Sequence, residues 1–179
     1  MQALTHWPLQ ASRRITGVLT NIDGTLTPQS AITLDALAVL HELKAAGLPV
    51  IAVTGRSVDW SEPFAQGWPV NAIGAEHGAV ALLSAQKGGS RISAGREPLL
   101  KACQYDTHVR LANRACIQQV ARRVMKEIPG TAMAQDSVGR ETNMAIDPSE
   151  FANLNADGIA QVVKIMRSGG MTVRWLRSS

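Results

Sequence analysis

Val18-Leu19-Thr20-Asn21-Ile22-Asp23-Gly24-Thr25-Leu26-Thr27 is the stretch on which the reading of this chain turns. A short apolar run gives way to Asn21 and Asp23, which share one face of an extended backbone. A glycine, a threonine and a helix start follow. The pattern predicts a buried strand that delivers side chains to its C-terminal end, where open α/β sheets place their sites. Asp-Gly-Thr is also an ordinary turn, so the neighbouring segments decide the case.

Upstream, residues 1–14 form a polar leader containing His6 and Trp7, and the first strand is expected over Ile15–Thr20. Its apolar residues are nearly continuous, which suggests a strand covered on both faces. Downstream, Thr33 is a candidate N-cap with Asp35 in the first turn. Leu34, Leu37, Leu40 and Leu43 then repeat at helical spacing until Gly47 and Pro49 stop the helix. Pro49–Val53 reads as a second strand ending in Thr54-Gly55-Arg56-Ser57. Strand, helix, strand at this spacing is a βαβ unit, so both polar ends emerge on one edge of a parallel sheet. A weaker helix over 58–66 and a third strand over 70–74 lead into Ala75-Glu76-His77-Gly78-Ala79. Gly78 suits a tight turn before a strand through Leu83.

The flexible-looking Gln86–Ser90 marks a domain boundary, giving residues 1–89 as one unit and 90–179 as a second. In the second, a long amphipathic helix over 109–128 places Cys116, Val120, Val124 and Ile128 on one face. Strands are expected over 131–135, 142–146 and 171–176. A helix capped by Asn155 points Ile159, Val162, Val163 and Met166 inward. The fold class is therefore α/β, Rossmann-like, followed by an α+β layer.

Bulk properties narrow the function. The 179 residues are 45% hydrophobic and 18% charged, with a net charge of +4. The arginines scatter and aromatic residues are few, which argues against nucleic-acid binding and fits an anionic small substrate. Cys103 and Cys116 lack metal-type spacing and read as buried thiols of a reducing compartment. Neither a signal peptide nor a membrane span is expected, so the chain reads as cytoplasmic. At the two strand ends, Asp23 offers a carboxylate, Thr54 a hydroxyl, Gly55 a close backbone approach and Arg56 a cation. That set suits a phosphate group. A carboxylate beside a phosphate site in turn implies Mg2+.

Here the sequence resembles the haloacid dehalogenase (HAD) superfamily. Asn21-Ile22-Asp23-Gly24-Thr25-Leu26 stands against the family's Asp-x-Asp-Gly-Thr-Leu, and Val53-Thr54-Gly55-Arg56 against its second motif. Ala75–Ala79 resembles the Ala-Glu-Asn-Gly-Ala loop of the subgroup with a large α+β cap, which includes sucrose-, trehalose- and mannosyl-phosphoglycerate phosphatases. The resemblance implies magnesium-dependent hydrolysis of a small phosphorylated metabolite, a sugar phosphate, through an aspartyl-phosphate. It puts position 21 as nucleophile and Asp23 as general acid/base. Asn21 and Asp23 become the metal ligands, and Thr54, Gly55 and Arg56 the phosphate site. His77 stands where the subgroup has Asn, in a structural or substrate-edge role. Glu76 is a candidate for facing the substrate. Arg140, with Glu141 and Asn143, is a candidate for reaching it from the cap, against the alternative of solvated turn residues.

Two departures qualify the expectation. Asn21 replaces the attacking aspartate, and a neutral amide is a poor nucleophile. It leaves open an introduced substitution or a natural, non-catalytic phospho-ligand binder. The family's third-motif lysine and its Gly-Asp-x-x-x-Asp motif have no counterpart after Thr142, since Asp147, Asp157 and Lys164 sit in the wrong contexts. A truncated product lacking the last core strands is the expectation, and β pairing along the outer edge of the first strand would then be open.

Overall fold

β1 (Val18–Asn21) and β2 (Val50–Val53) run parallel in register, Val18 opposite Val50 and Asn21 opposite Val53. The computed structural model that gives this pairing describes residues 13–28, 31–84, 99–147 and 154–173, with His6 and Gln10. Between the two strands runs α1 (Leu34–Ala45), capped by the Thr33 hydroxyl, which accepts from the Ala36 N–H at 3.2 Å. α2 (Val58–Gly67) leads to β3 (Ala72–Ala75), parallel to β2. β4 (Val80–Leu83) and β5 (Leu100–Cys103) add antiparallel, so the sheet order is β1-β2-β3-β4-β5. Ile22, Leu40, Val50, Val58, Ile73, Val80 and Leu82 are the fully buried apolar centre of this unit. This is an α/β fold with a mixed sheet, its first three strands parallel.

Two expectations about this half change. The first strand is not covered on both faces: Leu19 is 75% exposed and its register partner Ile51 is 39% exposed. Alternate residues of a pleated strand face opposite ways, and the packing of this unit takes Val50 and Ala52 while Leu19 and Ile51 share the other face. Among the described residues β1 pairs with β2 alone, so it is an edge strand. Leu34, expected on the apolar face of α1, is 84% exposed, because Leu40, Ala36 and Leu43 meet the core instead.

The contacts divide the chain into Met1–Gln104 and Tyr105–Ser179. The boundary expected near residue 89 lies outside the described residues, and β5 beyond it belongs to the first unit's sheet.

The second unit contains α3 (Thr107–Glu127), capped by Asp106, whose carboxylate accepts from the Val109 N–H at 2.9 Å. β6 (Ala132–Met133) and β7 (Ile146–Asp147) pair antiparallel, and α4 (Ala156–Ser168) starts at its cap Asn155. Val120, Val124 and Ile128 of one face meet Val162 and Ile165 in a small core. Ile165 takes an inward place that the sequence reading gave to its neighbours. Cys116, expected on the same buried face, is exposed, and its Sγ lies 3.6 Å from the Gly169 carbonyl oxygen. Both expected strands of this hairpin shorten to two residues. A 3-10 turn over Gln135–Gly139 takes up the chain between them. The last expected strand runs beyond the described residues. Among the described residues no helix is long and apolar enough to cross a membrane.

Candidate functional site

The parallel register places the ends of β1, β2 and β3 side by side, and backbone hydrogen bonds fix the loops that leave them. The Ile22 N–H donates to the Val53 carbonyl at 3.0 Å, and the Thr54 N–H to the Gly74 carbonyl at 3.0 Å. After Asp23 the chain reverses through Gly24, whose φ of +71° favours a residue without Cβ. The N–H groups of Thr25, Leu26 and Thr27 then converge on the Ile22 carbonyl at 3.3, 3.0 and 3.1 Å. The buried Thr27 hydroxyl donates to the same oxygen at 3.0 Å. Asp23 is thus presented from a tightly cross-linked turn.

Its carboxylate meets the second loop directly. The Thr54 hydroxyl, 1% exposed, donates to one carboxylate oxygen at 2.7 Å, and Arg56 Nε donates to the other at 3.2 Å. The Arg56 N–H returns to the Thr54 hydroxyl oxygen at 3.1 Å. Charge-assisted bonds of this kind are about twice as strong as neutral ones. Arg56 and Asp23 stay half exposed, at 52% and 40%, so their pairing contributes little to stability and keeps both groups within reach of solvent.

Helix α2 steadies the arginine. Its guanidinium carbon lies 5.6 Å from the centroid of the Trp60 ring. Trp60 is stacked at a tilt on Phe64, and Phe64 on Trp68, with centroids 4.6 and 4.7 Å apart. Of the four Trp, two Phe and one Tyr in the chain, this stripe takes three. Sequence reading missed the tie between Trp60 and Arg56. The four-residue interval Arg56, Trp60, Phe64, Trp68 is the signal that carries it.

The third loop closes the other side. Glu76 and His77 both adopt left-handed backbone, with φ of 51° and 62°. Such non-glycine residues cost about 1 to 3 kcal/mol each and persist where surroundings impose them. The strain coincides with two bonds between loops, Glu76 N–H to the Arg56 carbonyl at 3.0 Å and His77 N–H to the Thr54 carbonyl at 2.8 Å. The His77 imidazole lies so near Gly55 that a Cβ there would come within 2.6 Å of its Cε1. A side chain at position 55 would therefore have to displace this ring. His77 itself is exposed, whereas Glu76 is 2% exposed and does not offer its carboxylate to the surface.

Asn21, Asp23, Thr54, Gly55 and Arg56, with His77, are thus brought to one sheet edge. Arg140 belongs to the second unit. In the second unit its guanidinium donates to both Asp136 oxygens, at 3.0 and 2.8 Å, and to Asn143 Oδ1 at 2.7 Å. Glu141 lies 3.4 Å from Arg110 Nη1. These groups brace the turn between β6 and β7.

Magnesium asks for oxygen donors in near-octahedral array, usually including one or two carboxylates. The residues implied as its ligands do not fit it as they stand. Both Asp23 carboxylate oxygens are engaged by Thr54 and Arg56. Asn21 Nδ2 donates to the Asp23 carbonyl at 3.1 Å, and Asn21 Oδ1 accepts from the Ile22 N–H at 3.0 Å. Among the described residues no group of three His, Cys, Asp or Glu is gathered as a metal site.

Residues 18–102 match the sequence profile of the haloacid dehalogenase-like hydrolases. No curated protein matches the sequence. Among solved structures, the chain is similar to a Thermoplasma acidophilum protein at 14% identity and a TM-score of 0.59, over 88% of this chain and 59% of that one. It is also similar to a HAD-superfamily phosphatase from Bacteroides thetaiotaomicron, at 14% identity and a TM-score of 0.37, over 91% of this chain and 77% of that one. A HAD subclass IIB sugar phosphatase matches at 21% identity and a TM-score of 0.31, over 36% and 27% of the two chains. The Thermoplasma likeness bears on fold, and this chain spans 59% of that protein's length. The profile match covers residues 18–102, which hold both motifs and the parallel strand ends, and over that stretch the chain resembles the haloacid dehalogenase-like hydrolases.

Proposed function

We propose that this chain is a phosphomonoester hydrolase of the HAD type, acting on a small sugar-phosphate-like metabolite, with its turnover held low by Asn21. The single observation that carries the reading is the Asp23 carboxylate joined to Thr54 at 2.7 Å and to Arg56 at 3.2 Å across two adjacent strand ends. Arg56 can give hydrogen bonds to phosphoryl oxygens at that edge through its Nη groups, Thr54 can do so by turning its one hydroxyl proton away from Asp23, and Gly55 allows close approach. Asp23 is the one carboxylate there able to protonate a leaving alkoxide and then to take a proton from water. The sugar-phosphate class is supported by the Ala75–Ala79 loop, which lies beside the same edge. The cap role of the second unit is proposed from the same resemblance. A cytoplasmic setting is supported by two free cysteines.

What the site lacks is the attacking group. In the family reaction a carboxylate oxygen at position 21 bonds to phosphorus as the ester oxygen leaves with a proton. Water then cleaves the acyl phosphate. The Asn21 amide has no such anion to offer, and its hydrogen bonds to Ile22 and Asp23 hold it as a local brace. The implied magnesium enters no step here, since its proposed ligands are otherwise engaged.

The test is hydrolysis of an aryl phosphate by the 179-residue chain and by Asn21→Asp, with and without magnesium. The reading expects a measurable gain in kcat for the variant, smaller than a complete site would show, because catalytic groups that act as a unit are not additive. Equal rates in the two proteins would overturn it.

A further inference from the structure

The disagreement between the donor set and a divalent cation has a chemical consequence. Around Asp23 the positive charge is already supplied, by the Arg56 guanidinium at 3.2 Å. The backbone carbonyl of Asp23 is capped by the Asn21 amide N–H at 3.1 Å. A cation would have to displace both. Among the described residues Arg56 meets Asp23 through Nε, and it rests over the Trp60 ring at 5.6 Å. An anchored guanidinium has two Nη groups in addition, and its fork geometry suits two phosphate oxygens at once. The Thr54 hydroxyl, fixed by its bonds to Asp23 and the Arg56 N–H, stands beside it. Asn21 thereby does two things: it removes one carboxylate and it blocks a carbonyl.

We infer that this site binds a phosphate monoester, or inorganic phosphate, without a divalent metal, the Arg56 guanidinium serving as its cation. The inference rests on the phosphate-site reading above and names the partner ion of that site. Arginine recognition ties the phosphate to one side chain, whereas a metal-bridged phosphate would depend on the ion concentration. The half-exposed Arg56–Asp23 pair adds little to stability, so Arg56 can be replaced without loss of the fold.

Calorimetric titration of the full chain with inorganic phosphate, once with chelator and once with magnesium in excess, tests it. Dissociation constants within about twofold of each other are expected. Arg56→Gln is expected to weaken binding by about tenfold or more, the worth of a hydrogen bond to a charged group. Arg56→Lys, which keeps the charge and loses the fork, should fall between. A melting curve for each variant checks that it is folded. Phosphate binding that requires magnesium overturns the metal-free inference and leaves the phosphate site standing. Unchanged binding by folded Arg56→Gln also overturns it. Absence of binding under both conditions removes the inference and the phosphate-site reading together.

Discussion

Two arginine–aspartate pairs, one in each unit, use the same chemistry to different ends. Arg140 and Asp136 are sealed, their side chains 9% and 15% exposed, with two parallel bonds at 3.0 and 2.8 Å. Arg56 and Asp23 share one bond at 3.2 Å and remain 52% and 40% exposed. The first pair, with Asn143 also bound to Arg140, stiffens a 3-10 turn between two short strands. The second leaves guanidinium donors and a carboxylate edge in reach of solvent, beside Thr54 and Gly55. Burial, then, separates a sealed brace from a pair left accessible when the residue types are alike.

That contrast can be broken at several points. The largest stability loss is expected from Arg140→Ala, which removes two charge-assisted bonds from Asp136 in a nearly buried place and should cost about 3 kcal/mol. Urea unfolding followed by circular dichroism measures it, with phosphate binding unchanged in the folded protein. Thr54→Val deletes the hydroxyl donor to Asp23 and should cost about 2 kcal/mol together with most phosphate affinity. His77→Val forces a β-branched residue into left-handed backbone, at about 1 to 2 kcal/mol, whereas His77→Asn should be near neutral. Thermal melts of the two variants compare them. Leu19→Thr is expected to change stability least, since Leu19 is 75% exposed on an edge strand. It should instead reduce self-association in sedimentation, as the open apolar strand is the hazard.

Much of the first unit was legible because its signals are local. Thr33 and Gly47 bracket a helix, and the run Val50–Val53 ends at Thr54, so the βαβ unit and its converging strand ends followed from spacing. What failed was information that a sequence carries only through packing. The pattern of β1 is apolar whichever face is covered, so the exposure of Leu19 could not be read from it. Cys116 has the helical phase of Val120 and Val124, yet it lies a turn before α3 reaches the small core. The tie of Arg140 to Asp136, four residues away, depends on a turn whose 3-10 shape the residue types do not announce. At the site, positions were legible and orientations were not. Asn21 folds its amide back onto Ile22 and Asp23, a geometry that no spacing argument contains.

The most direct measurement is a phosphate titration followed by amide chemical shifts in the full chain. The account predicts shifts concentrated at Asp23, Thr54, Gly55, Arg56 and His77, with the Asp136–Asn143 segment unmoved. Shifts centred on Arg140 and Asp136, or none at the two strand ends, would contradict it.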